Sequence, residues 1–193
     1  MKYVIKSLVV IGAIAFVLAP LPARADGFVT PWVGSAFGSS FDNGRGTFGV
    51  SAGGMGAGIV GGEVDFGYNP SFFGTQNDFG NNSVLNLMGN VIIGVPIGGT
   101  QGKGVRPYVV GGLGLIRTQI DGVTNSSFFR PASSTNMFGW DAGVGVMGYF
   151  NDHVGLRGEM RYLRATQDWD NTSFSLNGER LHFWRPSIGV VLR

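Results

Sequence analysis

The feature that most constrains this chain is a two-residue alternation that recurs along most of its length. In Val154-Gly155-Leu156-Arg157-Gly158-Glu159-Met160-Arg161-Tyr162, the residues Val154, Leu156, Met160 and Tyr162 fall on one face of an extended strand, and Arg157, Glu159 and Arg161 fall on the other. The same split sets Glu63 and Asp65 against Val64, Phe66 and Tyr68, and Asn86 and Asn90 against Leu85, Leu87, Val91 and Ile93. Near the end, Arg185, Ser187 and Gly189 oppose Trp184, Ile188, Val190 and Leu192. Glycine, at 34 of 193 residues, closes the helical alternative, since each one inside a helix costs about 1 kcal/mol relative to alanine. Eight strands are expected, near 28–38, 46–56, 59–69, 83–95, 105–118, 136–150, 154–166 and 180–193.

The connections decide what kind of sheet this is. Long loops near 39–45, 70–82, 119–135 and 167–179 alternate with tight joints near 57–58, 96–104 and 151–153. That rhythm predicts an all-β fold: a closed antiparallel transmembrane β-barrel of about eight strands, with short periplasmic turns, long extracellular loops and both termini on the turn side. Closure satisfies every strand hydrogen bond internally and leaves no edge, which is what lipid demands. Aromatic residues fall where the two water interfaces belong. Phe37, Phe41, Phe66, Tyr68, Phe138, Trp140, Tyr162 and Trp184 lie toward the loops, and Phe28, Trp32 and Phe150 toward the turns. A soluble sandwich would use the aromatics as core but leaves the glycine-rich ionic face without a purpose.

Parity sharpens one joint. A two-residue hairpin pairing Phe150 with His153 would put Asp141 on the face of Leu156 and Met160, a carboxylate against lipid. A three-residue loop, Asn151-Asp152-His153, pairs Phe150 with Val154 instead, and sends Asp141 inward, diagonal to Arg161.

Eight strands enclose room for side chains and not for an open pore. The inward positions would carry Asn86, Asn90, Tyr108, four acids (Glu63, Asp65, Asp141, Glu159) and four arginines (Arg106, Arg157, Arg161, Arg185). Such charges must pair, because an unpaired buried charge typically costs several kcal/mol. A lumen ionic network, structural or gating, is therefore expected at these eight positions, with Gly112, Gly114, Gly143 and Gly145 making room for the long arginines.

At the N-terminus, Lys2 and Lys6 precede an apolar run of 11 residues from Leu8 to Leu18, followed by Ala23-Arg24-Ala25. The run is well short of the roughly 20 residues of a membrane-crossing helix. It predicts a secretory signal peptide over 1–25 and a barrel domain over 26–193. The chain contains no Cys, so neither a lipid anchor nor disulfides are expected in an exported product. The basic pI of about 9.2 belongs to the precursor. Without Lys2, Lys6 and Arg24 the chain keeps 11 basic against 12 acidic residues, and the electrostatic footprint of a nucleic-acid binder disappears.

Three segments carry a family likeness: Arg106-Pro107-Tyr108-Val109-Val110-Gly111-Gly112-Leu113-Gly114, Gly139-Trp140-Asp141-Ala142-Gly143-Val144-Gly145, and the strand from Val154 to Tyr162. They resemble the small outer-membrane barrels of opacity-type surface antigens and the barrel half of outer membrane protein A, porin-like folds among them. The resemblance implies residence in the outer membrane of a Gram-negative cell, insertion by the outer-membrane assembly machinery, and roles in envelope integrity, adhesion or slow solute passage. One departure is the sequence Val190-Val191-Leu192-Arg193, where such chains usually present the assembly machinery with a final aromatic residue. No peptidoglycan-binding domain is expected to follow.

Little chemistry competes with a structural role. Gly143-Val144-Gly145-Val146-Met147-Gly148 matches a dinucleotide fingerprint in letters, but a turn into another strand follows where that motif needs a helix. The tripeptides at Asn81, Asn125 and Asn171 match glycosylation acceptors, in a setting that does not suggest the apparatus. A lipid-modifying enzyme would need a nucleophile beside a base; His182 with Ser173 or Ser175 is the candidate, with no carboxylate set to orient the imidazole. The expectation is therefore a monomeric, non-catalytic surface protein without cofactor or metal, and the runner-up is a narrow, low-conductance pore. Arg164, continuing the outward face beyond Tyr162, is the candidate contact to lipopolysaccharide, since arginine holds phosphate bidentately. The loops, with Phe72, Phe73, Phe79, Phe128 and Phe129, are where any other partner would be met.

Overall fold

The computed structural model describes residues 25–38, 41–70, 82–99, 102–120, 124–125, 128–129, 133–166 and 181–193. Residues 1–24 of the leader, Phe72, Phe73, Phe79, Ser173, Ser175, Asn81 and Asn171 lie outside these residues. Eight strands make the barrel: β1 (Ala25–Gly38), β2 (Phe41–Gly56), β3 (Val60–Pro70), β4 (Asn82–Gly94), β5 (Gly104–Ile120), β6 (Ser133–Tyr149), β7 (Val154–Ala165) and β8 (His182–Leu192). Each pairs antiparallel with its neighbour in sequence, and β8 pairs back onto β1, so the sheet closes. A two-residue ladder joins Thr124–Asn125 to Phe128–Phe129 beyond the end of β5.

The joints at the end that holds the termini are short. Between β2 and β3 the amide of Ile59 bonds the Gly56 carbonyl at 3.0 Å across Ala57 and Gly58, both with positive φ, 49° and 68°; this is the mirror-image turn whose twist suits a hairpin. Between β6 and β7 the amide of Phe150 bonds the Val154 carbonyl at 3.0 Å. Asn151 Oδ1 accepts from the amides of His153 (2.9 Å) and Val154 (2.8 Å), so the joint is the three-residue loop that parity requires.

The opposite end differs from expectation at two places. The segment 39–45, read as a long loop, is mostly strand: β2 begins at Phe41, and Gly38 pairs with Phe41 after a register shift next to Ala36. Gly38 takes φ 114° there, a conformation L-residues with a side chain rarely adopt. The strands β5 and β6 also run further than the alternation reaches, to the pair Ile120↔Ser133.

Side chains sort by parity. Outward positions are apolar and exposed, among them Val33, Leu113, Val144 and Ile188, each 58–59% accessible. An exposed apolar belt of that extent is what hydrocarbon covers. Inward positions are filled. Toward the turns, Phe28, Met55, Ile92, Tyr108, Val110, Met147, Tyr149 and Val191 form one buried cluster. Toward the loops, Ala36, Val84, Met88, Ile116, Met137, Leu163, Ala165, Leu181 and Phe183 form another. The acidic residues and their arginines lie between the two, with Met88 interleaved between Asn86 and Asn90 on β4, while Arg106 is set into the turn-side layer and Asn69 and Thr118 into the loop-side one.

Phe28 and Trp32 correct the aromatic assignment. Both are inward and buried, at 4% and 5% exposure, and belong to the lumen instead of the turn-side girdle. Phe150, 57% exposed, does stand outside.

Candidate functional site

The lumen is where this chain concentrates its charge. The strand β7 presents Arg157, Glu159 and Arg161 inward at successive alternate positions; β3, across the barrel, presents Glu63 and Asp65. Arg157 bridges Glu63 and Glu159. Arg161 donates to Glu63 and Glu159, and through Nη1 to Asp141 Oδ2 at 2.8 Å. The diagonal contact with Asp141 follows from the register, which pairs Arg161 with Gly143. Glu159 also accepts from the Tyr108 hydroxyl at 2.6 Å, and that hydroxyl accepts from Arg157 Nε at 2.6 Å. Every charged side chain in this group is at most 4% exposed.

Asp65 anchors a second set. Its Oδ2 accepts from Arg185 Nη2 at 2.6 Å, and its Oδ1 accepts from Ser51 Oγ at 2.8 Å and from the Trp32 indole nitrogen at 3.1 Å. The Arg185 guanidinium stacks on the Trp32 ring, 4.2 Å from its centroid. Two amides join the sets. With its nitrogen toward Asp141 Oδ1 (2.8 Å) and its oxygen toward Arg161 Nη1, Asn90 satisfies both ends. In the same way Asn86 donates to the Gly67 carbonyl and accepts from Arg185 Nη1 at 3.1 Å.

Arg106 is inward and 2% exposed, but it stands apart from this network. It lies one layer toward the turns, where Nη1 meets Met55 Sδ at 3.6 Å and the guanidinium lies 5.4 Å from the Tyr149 ring centroid. The other face of that layer is closed by Arg193, 3.7 Å from the same ring and 3.6 Å from Asp26. The ionic belt itself therefore holds four carboxylates against three guanidiniums. Trp32, Ser51 and Phe28 contribute to it without carrying a charge that sequence alone would single out; Phe28 lies 5.8 Å beneath Arg157.

The glycines make room for more than arginine. A side chain at Gly143 would meet Arg161, as expected, at 2.9 Å. One at Gly145 would collide with Tyr108, one at Gly112 with Asn90 and one at Gly114 with Met88. The glycine that makes space for Arg185 is Gly67, where an added Cβ would stand 2.7 Å from its Nη1.

Outside the lumen, Arg164 is exposed and pairs with Trp140 on one side and His182 on the other. Below it Tyr162 packs between Trp140 (5.6 Å), Trp184 (5.0 Å) and His182 (6.0 Å). Arginine and aromatic rings thus form one outward patch at the loop end. Among the described residues no group of three or more metal-ligating side chains converges.

A closed sheet with an apolar exterior, an aromatic rim and a charged belt sealed inside defines a membrane-spanning β-barrel with a filled lumen. The family described as outer membrane protein beta-barrel domain matches residues 11–178, and the chain belongs to that family; it is an outer-membrane protein. Its fold is shared by several solved barrels. Neisserial surface protein A (NspA) is 18% identical, with 87% of this chain and 97% of that one covered at a TM-score of 0.64. Ail, the attachment invasion locus protein of Yersinia pestis, solved with the heparin analogue sucrose octasulfate, is 11% identical, covering 88% and 99% at 0.52. The N-terminal barrel domain of Pseudomonas aeruginosa OprF is 18% identical, covering 88% and 96% at 0.51. No curated protein sequence matches the chain.

Proposed function

We propose that this protein is a closed, non-catalytic surface barrel, with an envelope-structural or adhesive role exercised through its loops and rim. The observation that carries this reading is the stratified lumen. A layer of buried apolar side chains lies above the ionic belt and another, with Arg106 set into it, below, so ions entering from either end meet a closely filled layer before the belt. The belt is then a structural network and not a selectivity filter. Among the solved barrels of this fold, one is by name a surface protein and another an attachment protein, roles compatible with this one. Planar-bilayer recording tests the reading. The native protein is expected to be silent, whereas Glu159→Ala, which removes the carboxylate shared by Arg157, Arg161 and Tyr108, is expected to open intermittently. Steady conductance of the native protein would make it a narrow pore instead.

The outward patch supports a partner. Arg164, set among Trp140, Tyr162 and His182, is placed to hold a lipopolysaccharide phosphate while the rings lie against the sugar and acyl boundary. Arg164→Ala is expected to reduce the lipopolysaccharide retained through detergent purification; unchanged retention would remove the assignment. The same reading includes export by the leader with cleavage after Ala25, insertion by the outer-membrane assembly machinery, and a monomeric barrel. An intact-mass measurement on the protein from outer membranes, expected to begin at Asp26, checks the cleavage.

A further inference from the structure

The ladders from β2 through to β8 pair residue by residue without a gap. The ladder that closes the barrel does not. Between β1 and β8 the pairs are Val29↔Leu192, then Trp32, Val33 and Gly34 with Gly189, Ile188 and Ser187, then Phe37↔Trp184. In that register the two gaps fall where Pro31 faces Val190 and where Pro186 faces Ser35. The Pro31 carbonyl oxygen lies against Gly189 and the Pro186 carbonyl oxygen against Gly34, so both prolines turn their backbone polar edge toward this seam. An antiparallel narrow pair exchanges two hydrogen bonds, and proline can make only one of them. The other strand prolines leave no gap inside a ladder: Pro70 ends β3, and Pro107, which accepts from the Val95 amide without returning a bond, does so beyond the end of β4.

What the seam lacks in backbone bonds it recovers from within. Trp32 is on β1 and Arg185 on β8, and both donate to one carboxylate, Asp65 on β3, while the guanidinium lies on the indole. We propose that the β1–β8 seam is a lateral opening of the barrel, and that Asp65, Trp32 and Arg185 are the latch that holds it shut. When the latch releases, the seam parts beside the ionic belt and connects the membrane interior with the lumen. Between the two apolar clusters, to which Phe28, Ala36, Phe183 and Val191 belong, the remaining inward residues along the seam, Thr30, Gly34, Ser187 and Gly189, are small, so beside the belt little side-chain packing other than the latch resists the separation.

Hydrogen exchange of the refolded protein in lipid nanodiscs, followed by mass spectrometry, tests this. Segments of β1 and β8 are expected to exchange about ten-fold faster than segments of β4 and β5, the effect of two missing ladder bonds on local opening. Trp32→Phe keeps a ring beneath Arg185 and removes only the indole donor. It is expected to speed exchange several-fold further in β1 and β8 and to leave β4 and β5 unchanged. Native β1 and β8 exchanging no faster than β4 and β5 would overturn the seam. A Trp32→Phe protein with unaltered exchange, or with all strands accelerated alike, would overturn the latch.

Discussion

Arg161 donates to Glu63, Glu159 and Asp141 and stands 3.9 Å from Asp65, so removing it strands several buried carboxylates at once. Arg106, equally buried, has a thioether and a phenol ring for company. The two should respond in opposite ways to the same substitution. Arg161→Met is expected to lower unfolding stability by about 3–5 kcal/mol, the usual cost of breaking a buried ion pair on one side. Arg106→Met, which puts an apolar side chain beside Met55, is expected to change it by less than about 1 kcal/mol. Urea titrations in lipid vesicles measure both, and equal losses would show that pairing is not what distinguishes them. The belt residues were legible in the sequence because each is a polar letter inside an apolar alternation. Depth along the strand was not legible, so a simple balance of four acids and four arginines gathered Arg106 into a network that it borders without joining. Trp32 and Phe28 were missed for another reason. On β1 the inward set is Phe28, Thr30, Trp32, Gly34 and Ala36, and the outward set is Val29, Pro31, Val33, Ser35 and Phe37; both are mixed, so alternation carries no sign of which side is oil.

Strands were legible wherever one face meets lipid and the other meets the belt. They faded where both faces meet water. The start of β2, Phe41-Asp42-Asn43-Gly44-Arg45, has four polar or glycine residues in a row after Phe41 and reads as loop, yet it pairs with β1 because a neighbouring strand is there to receive its backbone groups. The ends of β5 and β6, with Gln119, Ser133 and Ser134, pair beyond the alternation in the same way. Turns are read by other rules. The joint at 151–153 followed from parity alone, and Asn151 then supplies the acceptor that two free amides need. The joint at 57–58 is less economical: Ala57 sits at φ 49°, where a Cβ costs roughly 1–2 kcal/mol. That conformation is imposed by the closure of β2 on β3 and is not encoded by the residue.

At the scale of the whole molecule, an even number of strands puts the ends of the barrel sheet and the three short joints on one side, and that side is expected in the periplasm. The absence of native cysteine makes this simple to check. A cysteine replacing Thr166, exposed at the loop end, is expected to react with a membrane-impermeant maleimide on intact cells. One replacing Asp152, exposed in the β6–β7 joint, is expected to react only after the outer membrane is permeabilised; the reverse pattern would invert the barrel. The belt has one more consequence, for how such a barrel is made. Arg157 and Glu63 are 94 residues apart in the chain, Arg161 and Glu63 are 98, and Arg185 and Asp65 are 120. Arg157 and Arg161 can pair early with Glu159 and Asp141, but Glu63, Asp65 and Arg185 meet no ionic partner until the sheet has curled far enough for β3 to face β7 and β8. A half-wrapped sheet in the bilayer would hold bare carboxylates and guanidiniums against hydrocarbon, a state too costly to populate. Wrapping and insertion are thereby bound into a single cooperative step, with no stable intermediate between the chain outside the membrane and the finished cylinder within it.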